Sequence, residues 1–145
     1  MHCNNEAGCI VGSDESIWGW GMLIQGEKPD DEKIRKIEPE AGSGQLKNIM
    51  KVAHGKVCRV ILTEDNRVWF TGYAVYSMLG YNDLSKAYVK CLHEVTGNLW
   101  GLDEGAKIVD ICSGKQNIVV VSDNGKVYAT GSHFYRYFEA CRSNT

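Results

Sequence analysis

Apolar residues along the chain occur in short runs that end at a glycine or at an Asp/Asn turn, a pattern typical of β-strands. Residues 58–65, CRVILTED, and residues 117–124, NIVVVSDN, are apolar enough to predict strands that are buried on both faces. Asn66 and Gly125 then tolerate the left-handed backbone conformation that a tight hairpin turn requires. We therefore predict antiparallel hairpins in both regions.

The hairpin unit is repeated along the chain. The second and third copies correspond at a spacing of 59 residues, so that Trp69 matches Tyr128 and Gly72 matches Gly131. The first copy corresponds to the second at a spacing of 51 residues, which places Trp18 at the position of Trp69. Repeats of a few tens of residues are typical of solenoids and propellers. The approximate copies are residues 1–44, 45–103 and 104–145.

The strand that follows each turn carries an aromatic residue at the equivalent position. Because side chains alternate across a sheet, Val68 and Phe70 should face one side and Trp69 the other. Trp18, Trp69 and Tyr128 are therefore expected to form one column that packs between neighbouring sheets.

The segments between the copies are more polar. Residues 25–44 contain both prolines and a charge cluster, and most of them are predicted to be exposed connection. Ile34 and Ile37 are candidates to anchor a short outer strand or turn there. Residues 87–95 alternate as an edge strand, and the loop that follows is predicted to turn Trp100 inward.

Charge and composition narrow the function classes. Lys plus Arg is 16 against 18 for Asp plus Glu, and the formal net charge of −2 gives no bulk attraction to nucleic acid. Residues 1–12 lack a basic region followed by a long apolar stretch, and no window has the roughly 18 apolar residues of a membrane span, so we expect a soluble protein without a secretory signal. The six cysteines are scattered, and Cys58 and Cys112 are expected to be small buried hydrophobes. We expect an intracellular protein, cytoplasmic or nuclear, without direct binding to nucleic acid or membranes.

No catalytic or metal-binding arrangement is evident in the sequence. The Gly-Lys pair at Gly55 and its repeat at Gly114 lack the second glycine and the Ser/Thr of a phosphate-binding loop. His54 with Cys58, and Cys91 with His93, are two candidate pairs of zinc ligands. For neither pair does the sequence show a partner pair that would complete a tetrahedral site. We therefore expect no enzyme activity, no cofactor and no metal site.

The unit resembles the regulator of chromosome condensation repeat, in which a strand and a glycine precede a second strand, an Asp/Asn turn and an aromatic strand ending in glycine. Residues 49–83 are the fullest match and include Leu79-Gly80, residues 107–138 match to the end of their strands, and Trp20-Gly21 supplies a Trp-Gly pair. The resemblance implies an all-β fold of the seven-bladed β-propeller type. The chain holds about two and a half divergent repeats, which implies a partial propeller of two to three antiparallel four-stranded sheets.

The repeats depart from the family pattern. Cys58 and Asn117 stand where a histidine is common, and Thr71 and Thr130 replace the tryptophan of the Trp-Gly pair. The first copy is predicted to lack its first strand. A partial propeller exposes sheet faces and strand edges, so we expect these to be capped by another chain or by missing repeats.

The loops that follow the repeat glycines are rich in aromatic residues, which are enriched at interface hot spots. The predicted partner-binding residues are Tyr73, Tyr81, Phe134, Arg136 and Tyr137. Tyr76 and Tyr135 are instead expected to brace adjoining blades.

The leading hypothesis is a non-enzymatic protein-protein interaction module or scaffold subunit, within a larger propeller or complex. The resemblance also implies an alternative, guanine-nucleotide exchange on a small GTPase, which the family's founding member performs on Ran. A third reading is the substrate-recruiting part of a ubiquitin ligase. The expected partners are proteins, either a small GTPase or the subunits of a larger assembly.

Overall fold

The computed structural model describes residues 2–3, 7–21, 34–56, 58–74, 78–79, 88–95 and 99–131. These residues form three antiparallel sheets and contain no α-helix, which confirms the all-β prediction. Consistent with this, none of the residues in these ranges belongs to a helix long and apolar enough to cross a membrane.

The first sheet has the strand order β1-β2-β3-β4. Its strands are β1 (His2–Cys3), β2 (Ala7–Val11), β3 (Ile17–Gly21) and β4 (Arg35–Ile37). The prediction that this copy lacks its first strand is wrong, because His2 pairs with Cys9 and Cys3 pairs with Gly8. A strand of two residues is too short to show an alternating pattern, so the sequence did not reveal it.

The second and third sheets repeat the same order in space. The second consists of β5 (Ile49–His54), β6 (Cys58–Thr63), β7 (Val68–Tyr73) and β8 (Tyr88–Val95). The third consists, within the described residues, of β9 (Ile108–Ser113), β10 (Asn117–Ser122) and β11 (Val127–Gly131). Two sheets therefore have four strands, as expected, and three strands of the third are placed.

The hairpin turns form as the sequence predicts. Asn66 and Gly125 have positive φ angles of 66° and 81°, the left-handed conformation expected at these positions. A hydroxyl group before each turn closes it: Thr63 Oγ1 donates to Asp65 Oδ1 at 2.6 Å, and Ser122 Oγ donates to Asn124 Oδ1 at 2.5 Å. Equivalent residues thus make equivalent bonds in the second and third copies.

Each sheet has two faces, and the repeat spacing identifies which residues share a face. The face toward the following sheet carries Cys9, Val11, Ile17 and Gly19 in the first sheet, Val60, Leu62, Val68 and Phe70 in the second, and Val119, Val121, Val127 and Ala129 in the third. We call this the leading face. The opposite, trailing face carries Gly8, Ile10, Trp18 and Trp20, then Arg59, Ile61, Trp69 and Thr71, then Ile118, Val120, Tyr128 and Thr130.

Two apolar cores hold the sheets together. Ile61 and Trp69 of the second trailing face pack with Cys9, Ile17 and other residues of the first sheet. The second leading face, including Phe70, packs in a separate core against the third sheet. The predicted alternation of Val68 and Phe70 against Trp69 is confirmed.

The aromatic column forms only where a sheet precedes it. Trp69 is fully buried against the first sheet, and Tyr128 is partly buried against the second. Trp18 is exposed, contrary to the prediction, because no sheet among the described residues covers the first trailing face. Its indole Nε1 instead donates to Ser16 Oγ at 2.8 Å.

The lack of a neighbouring sheet among the described residues also explains why β10 is less buried than β6. Both were predicted to be buried on both faces, and every residue of β6 is buried. In β10 burial alternates between buried and half-buried residues, so the prediction is wrong for this strand. The third leading face is not covered by another described sheet.

Hairpin turns also tie one sheet to the next. Glu15 Oε1 accepts a hydrogen bond from the backbone N–H of Ile49 at 2.9 Å, and Asn66 Oδ1 accepts one from Ile108 N–H at 2.7 Å. Glu15 and Asn66 are equivalent residues, and Ile49 and Ile108 begin the first strand of the following sheet. Gly125 occupies this position in the third hairpin and has no side chain to accept such a bond.

The opposite ends of the sheets meet through glycine. A Cβ atom at Gly55 would lie 2.4 Å from the backbone oxygen of Gly114, so no larger residue fits without displacement of the third sheet. The backbone N–H of Lys56 donates to that same oxygen at 3.4 Å. Gly55 is therefore explained by the close approach of two sheets rather than by phosphate binding.

The segments that connect the sheets pack against the edge strands and the cores. Ile37 is buried in β4, as expected of an anchor, whereas Ile34 is exposed. Pro39 pairs with Leu92 of β8, the edge strand predicted at residues 87–95. Trp100 is buried, as predicted.

Replacing Asn66 by glycine should destabilise the chain. Glycine tolerates the positive φ angle of this turn, so the change removes the hydrogen bond to Ile108 without straining the backbone. We expect a loss of about 1 kcal/mol in the free energy of unfolding, measured by chemical denaturation.

Gly125→Asn is the matched control for this substitution. It adds the same amide at the equivalent turn, where a Cβ atom would meet nothing within 4 Å. Asparagine tolerates the left-handed conformation of this turn, as Asn66 does, so stability should be nearly unchanged. An Asn66→Gly chain as stable as the parent would show that the bond between hairpin and strand contributes nothing.

Candidate partner-binding surface

Tyr73 lies where β7 ends, at the edge of the second sheet that we call the glycine rim. Gly21, Gly72 and Gly131 mark the ends of β3, β7 and β11 at this rim, each with a positive φ angle. The rim is defined by these glycines together with the turns at Gly55 and Gly114. The three hairpin turns lie at the opposite edge, the hairpin rim.

The Tyr73 ring is held in place by a second tyrosine. Tyr73 pairs with Tyr88 across β7 and β8, and their ring centroids lie 4.8 Å apart at an interplanar angle of 62°. An edge-to-face pair of this kind contributes roughly 0.5–1.5 kcal/mol beyond burial alone. Tyr73 nevertheless keeps 37% of its surface exposed, so an ordered aromatic ring faces solvent at the rim.

Basic residues accompany this ring on the glycine rim. Lys56 follows the turn glycine of the second sheet, and Lys115 follows the equivalent glycine of the third; both are exposed. Tyr73 and these lysines combine an apolar anchor with positive charge. Such a surface suits a protein partner that carries acidic groups around an apolar pocket.

Tyr73 is the one predicted partner-binding residue that falls within the described ranges. Tyr81, Phe134, Arg136 and Tyr137 lie outside the described residues, as do the predicted bracing residues Tyr76 and Tyr135. Met78 and Leu79 are buried in the core between the second and third sheets.

Arg59 is a buried charged residue that the sequence pattern did not single out, because it stands inside the apolar stretch CRVILTED. The side chain is fully buried between the first and second sheets. Its Nη2 atom donates to the backbone oxygens of Gly8 at 2.8 Å and Trp20 at 3.1 Å. Burial lowers the pKa of Arg59 from its usual value. Arg59 therefore joins two sheets through backbone oxygens, which is a structural role.

The cysteines differ in environment. Burial raises the pKa of the Cys58 thiol to about 11, so this residue is a buried hydrophobe at neutral pH, as predicted. Its Sγ lies 3.2 Å from Ser113 Oγ of the third sheet. Cys112 is exposed, contrary to prediction. Cys112 pairs with Val119 of β10, and its equivalent in the second sheet is Ala53. The third sheet helps to bury Ala53, whereas no sheet among the described residues covers Cys112.

The hairpin rim carries acidic side chains, and one of its ion pairs joins Arg67 to Glu94. Arg67 Nε donates to Glu94 Oε1 at 2.8 Å, and its guanidinium lies 4.3 Å from the centroid of the Trp69 ring. The hydrogen bond from Arg67 lowers the pKa of Glu94. Because Arg67 also donates to the backbone oxygen of Ser43, the pair fastens the connection between the first and second sheets.

A cavity of about 370 Å³ lies beside the first sheet at the hairpin rim. Its walls include Glu15, Lys36, Glu38 and Leu46. Lys36 Nζ and Glu38 Oε1 lie 3.0 Å apart and offset each other's charge. Over the described part of the chain, no group of three or more His, Cys, Asp or Glu residues is placed to hold a metal ion.

Solved structures share this architecture. Human WBSCR16 matches with a TM-score of 0.65 and 18% identity over 87% of this chain, and Prp20p from Saccharomyces cerevisiae matches with a TM-score of 0.65 and 19% identity over 92%. Yeast RCC1 (Prp20) bound by Kap60 matches with a TM-score of 0.58 and 20% identity over 89%. The fold is that of a partial regulator of chromosome condensation propeller. The fold class and the family resemblance predicted from the sequence are thus confirmed.

A curated protein is similar to the chain in sequence. The X-linked retinitis pigmentosa GTPase regulator homolog of Caenorhabditis elegans is 23% identical over 133 residues, which are 92% of this chain and 9% of that protein. The chain covers 32%, 30% and 31% of the three solved chains, about a third of each. No protein-family model matches the chain.

The ion pair of Glu94 and Arg67 predicts how stability depends on pH. Because the pKa of Glu94 in the folded protein lies below its ordinary value of 4.5, the ion pair stabilises the folded state above that pH. This contribution is lost as the pH falls through the folded-state pKa of Glu94. We expect the difference in unfolding free energy between the parent and Glu94→Gln to be largest near neutrality and to shrink in acid. Thermal unfolding of both chains between neutral and acid pH measures it, and a constant difference would contradict the pair.

Proposed function

We propose that the chain is a non-enzymatic protein-interaction module, or scaffold subunit, built of regulator of chromosome condensation-like blades within a larger propeller or complex. The partner binds at the glycine rim. The observation that carries this proposal is the Tyr73 ring, which is ordered by Tyr88 and yet exposed. We place the protein inside the cell, in the cytoplasm or the nucleus.

An ordered aromatic ring is well suited to binding. Tyrosine offers a large contact area, and a ring already held by Tyr88 loses little conformational freedom when a partner covers it. Lys56 and Lys115 would attract an acidic partner surface and guide its approach. We propose that Tyr81, Phe134, Arg136 and Tyr137 complete the binding surface, since they follow strands that end at this rim.

Removing the rim side chains should release the partner. A chain carrying Tyr73→Ala, Phe134→Ala and Arg136→Ala is expected to capture partner proteins at least about tenfold more weakly, because each hot-spot residue typically contributes more than 1 kcal/mol. Affinity capture from cells, with quantification by mass spectrometry, measures the change.

The control for this experiment is Glu64→Ala on the hairpin rim, where the exposed side chain lies far from Tyr73 along the strands. It should leave capture unchanged. If the triple variant is folded and still captures the same proteins in the same amounts, the glycine rim is not the binding surface.

Guanine-nucleotide exchange on a small GTPase is the second candidate. The structure of Prp20p is described together with its binding to Gsp1p and histones, and the curated relative is named as a GTPase regulator homolog. The chain spans about a third of the solved Prp20p chain, so the activity of the whole protein is not carried over with it.

A nucleotide-release assay separates the two candidates. Gsp1p loaded with fluorescent GDP is mixed with the chain, and the leading proposal predicts no acceleration of release. Acceleration that is lost in the Tyr73→Ala variant would favour exchange activity instead.

Recruitment of substrates or subunits within a ubiquitin ligase or another multisubunit assembly is the third candidate. In that case other subunits, or further repeats, cover the open sheet faces. The mass of the native complex isolated from cells identifies those subunits.

A further inference from the structure

Arg59 carries a positive charge that is buried between the first and second sheets, where its side chain is 0% exposed. A guanidinium keeps its proton in proteins, so the cost of burial is not relieved by loss of the charge. Its Nη2 atom donates to the backbone oxygens of Gly8 and Trp20, but Nε and Nη1 have no oxygen acceptor among the described residues. A negative charge beside this guanidinium would therefore stabilise the folded chain.

The backbone of the first sheet leaves room for the guanidinium next to Cys9. Cys9 and Gly19 pair across β2 and β3 and lie on the leading face, toward the second sheet. A Cβ atom at Gly19 would lie 3.1 Å from Cζ and from Nη2 of Arg59, so the guanidinium rests on this glycine. Cys9 is itself 0% exposed, and its thiol accepts a hydrogen bond from the guanidinium.

Three weak acids face the guanidinium, namely Cys9 of β2, Cys58 of β6 and Tyr88 of β8, and Cys9 has the strongest electrostatic interaction with it. Burial raises the pKa of the Cys58 thiol to about 11, so this group is neutral. A tyrosine is ordinarily less acidic than a cysteine by about 1.5 pH units. His54, which pairs with the arginine across β5 and β6, adds positive charge when it titrates. Cys9 is therefore the group best placed to supply the negative charge.

We propose that Cys9 is ionised at neutral pH as the buried counter-charge of Arg59, and that it is a modification site for small soft electrophiles. The thiolate is the nucleophilic form of cysteine. With an alkyl halide, the Cys9 Sγ attacks the carbon, an S–C bond forms, and the halide leaves with the electron pair of the broken bond. The site lies between two described sheets and does not rest on the proposed function.

The electrophile reaches Cys9 when the first sheet moves away from the second. Because Cys9 is already a thiolate in the folded chain, no proton has to leave before it reacts, and its rate of alkylation should not depend on pH near neutrality. A neutral buried thiol has to lose a proton first. Its rate should rise about tenfold with each pH unit below the ordinary thiol pKa of about 8.5.

Alkylation by iodoacetamide, followed residue by residue with mass spectrometry, tests the proposal in the parent chain. Cys58 is the matched control, because it is also 0% exposed and is adjacent to Arg59 in the sequence, but its thiol is neutral. Over the first pH unit above neutrality we expect the rate constant of Cys9 to change less than about twofold, and that of Cys58 to rise about tenfold.

Two variants test the role of the guanidinium. Arg59→Met removes the charge and keeps a long side chain, so Cys9 should then react faster as the pH rises, as Cys58 does. Arg59→Lys keeps a positive charge and should retain the pH-independent rate at Cys9. If Arg59→Met does not fold, nuclear magnetic resonance of the parent with isotope-labelled cysteine β-carbons decides. The Cys9 signal, assigned with Cys9→Ser, should have the shift of a thiolate at neutral pH, and the Cys58 signal that of a thiol.

A rate at Cys9 that rises about tenfold per pH unit near neutrality would overturn the proposal. So would a Cys9 β-carbon with the shift of a thiol at neutral pH, or a folded Arg59→Met chain in which the rate at Cys9 is still independent of pH.

Discussion

The fold depends on apolar packing between the leading face of one sheet and the trailing face of the next. A strand with alternating side chains supplies two faces, and the repeat makes both apolar, so each sheet needs a neighbour on each side. The second sheet has both neighbours, which is why β6 is buried throughout and Trp69 is inaccessible to solvent. Among the described residues the first and third sheets each have one neighbour, and the exposed Trp18 and Val127 are the consequence.

Directional bonds then set how the sheets sit on one another. Apolar faces would pack in several registers, but the turn residues Glu15 and Asn66 each bind the first residue of the next sheet. At the opposite rim Gly55 allows the backbone of Gly114 to approach, and between the first two sheets Arg59 donates to Gly8 and Trp20. Hydrogen bonds of this kind contribute modestly to stability, yet they specify a single arrangement.

Local pattern predicted the strands other than β1, the turns and the alternation within a sheet, because period-two burial and positive φ are properties of neighbouring residues. It did not predict what depends on the sheet next door. The sequence of β10 resembles that of β6, and Cys112 lies in an apolar strand like Cys58. Full burial of β10 and of Cys112 would require a further sheet, which the described residues do not provide. Arg59 was missed for the same reason, since its acceptors are backbone atoms of another sheet. Of the predicted partner-binding residues, the structure describes Tyr73. It shows that this ring is exposed and that it packs against Tyr88.

The sheets stack through alternating faces, and Trp69 lies between the first and second sheets. Nuclear Overhauser effects from the Trp69 indole protons test this arrangement most directly, in a chain with labelled isoleucine methyl groups. Stacking in this arrangement predicts contacts from the Trp69 ring to Ile17 and Ile37 of the first sheet, and from the Phe70 ring to isoleucines of the third. Contacts from Trp69 to the third sheet, or none to the first, would contradict it.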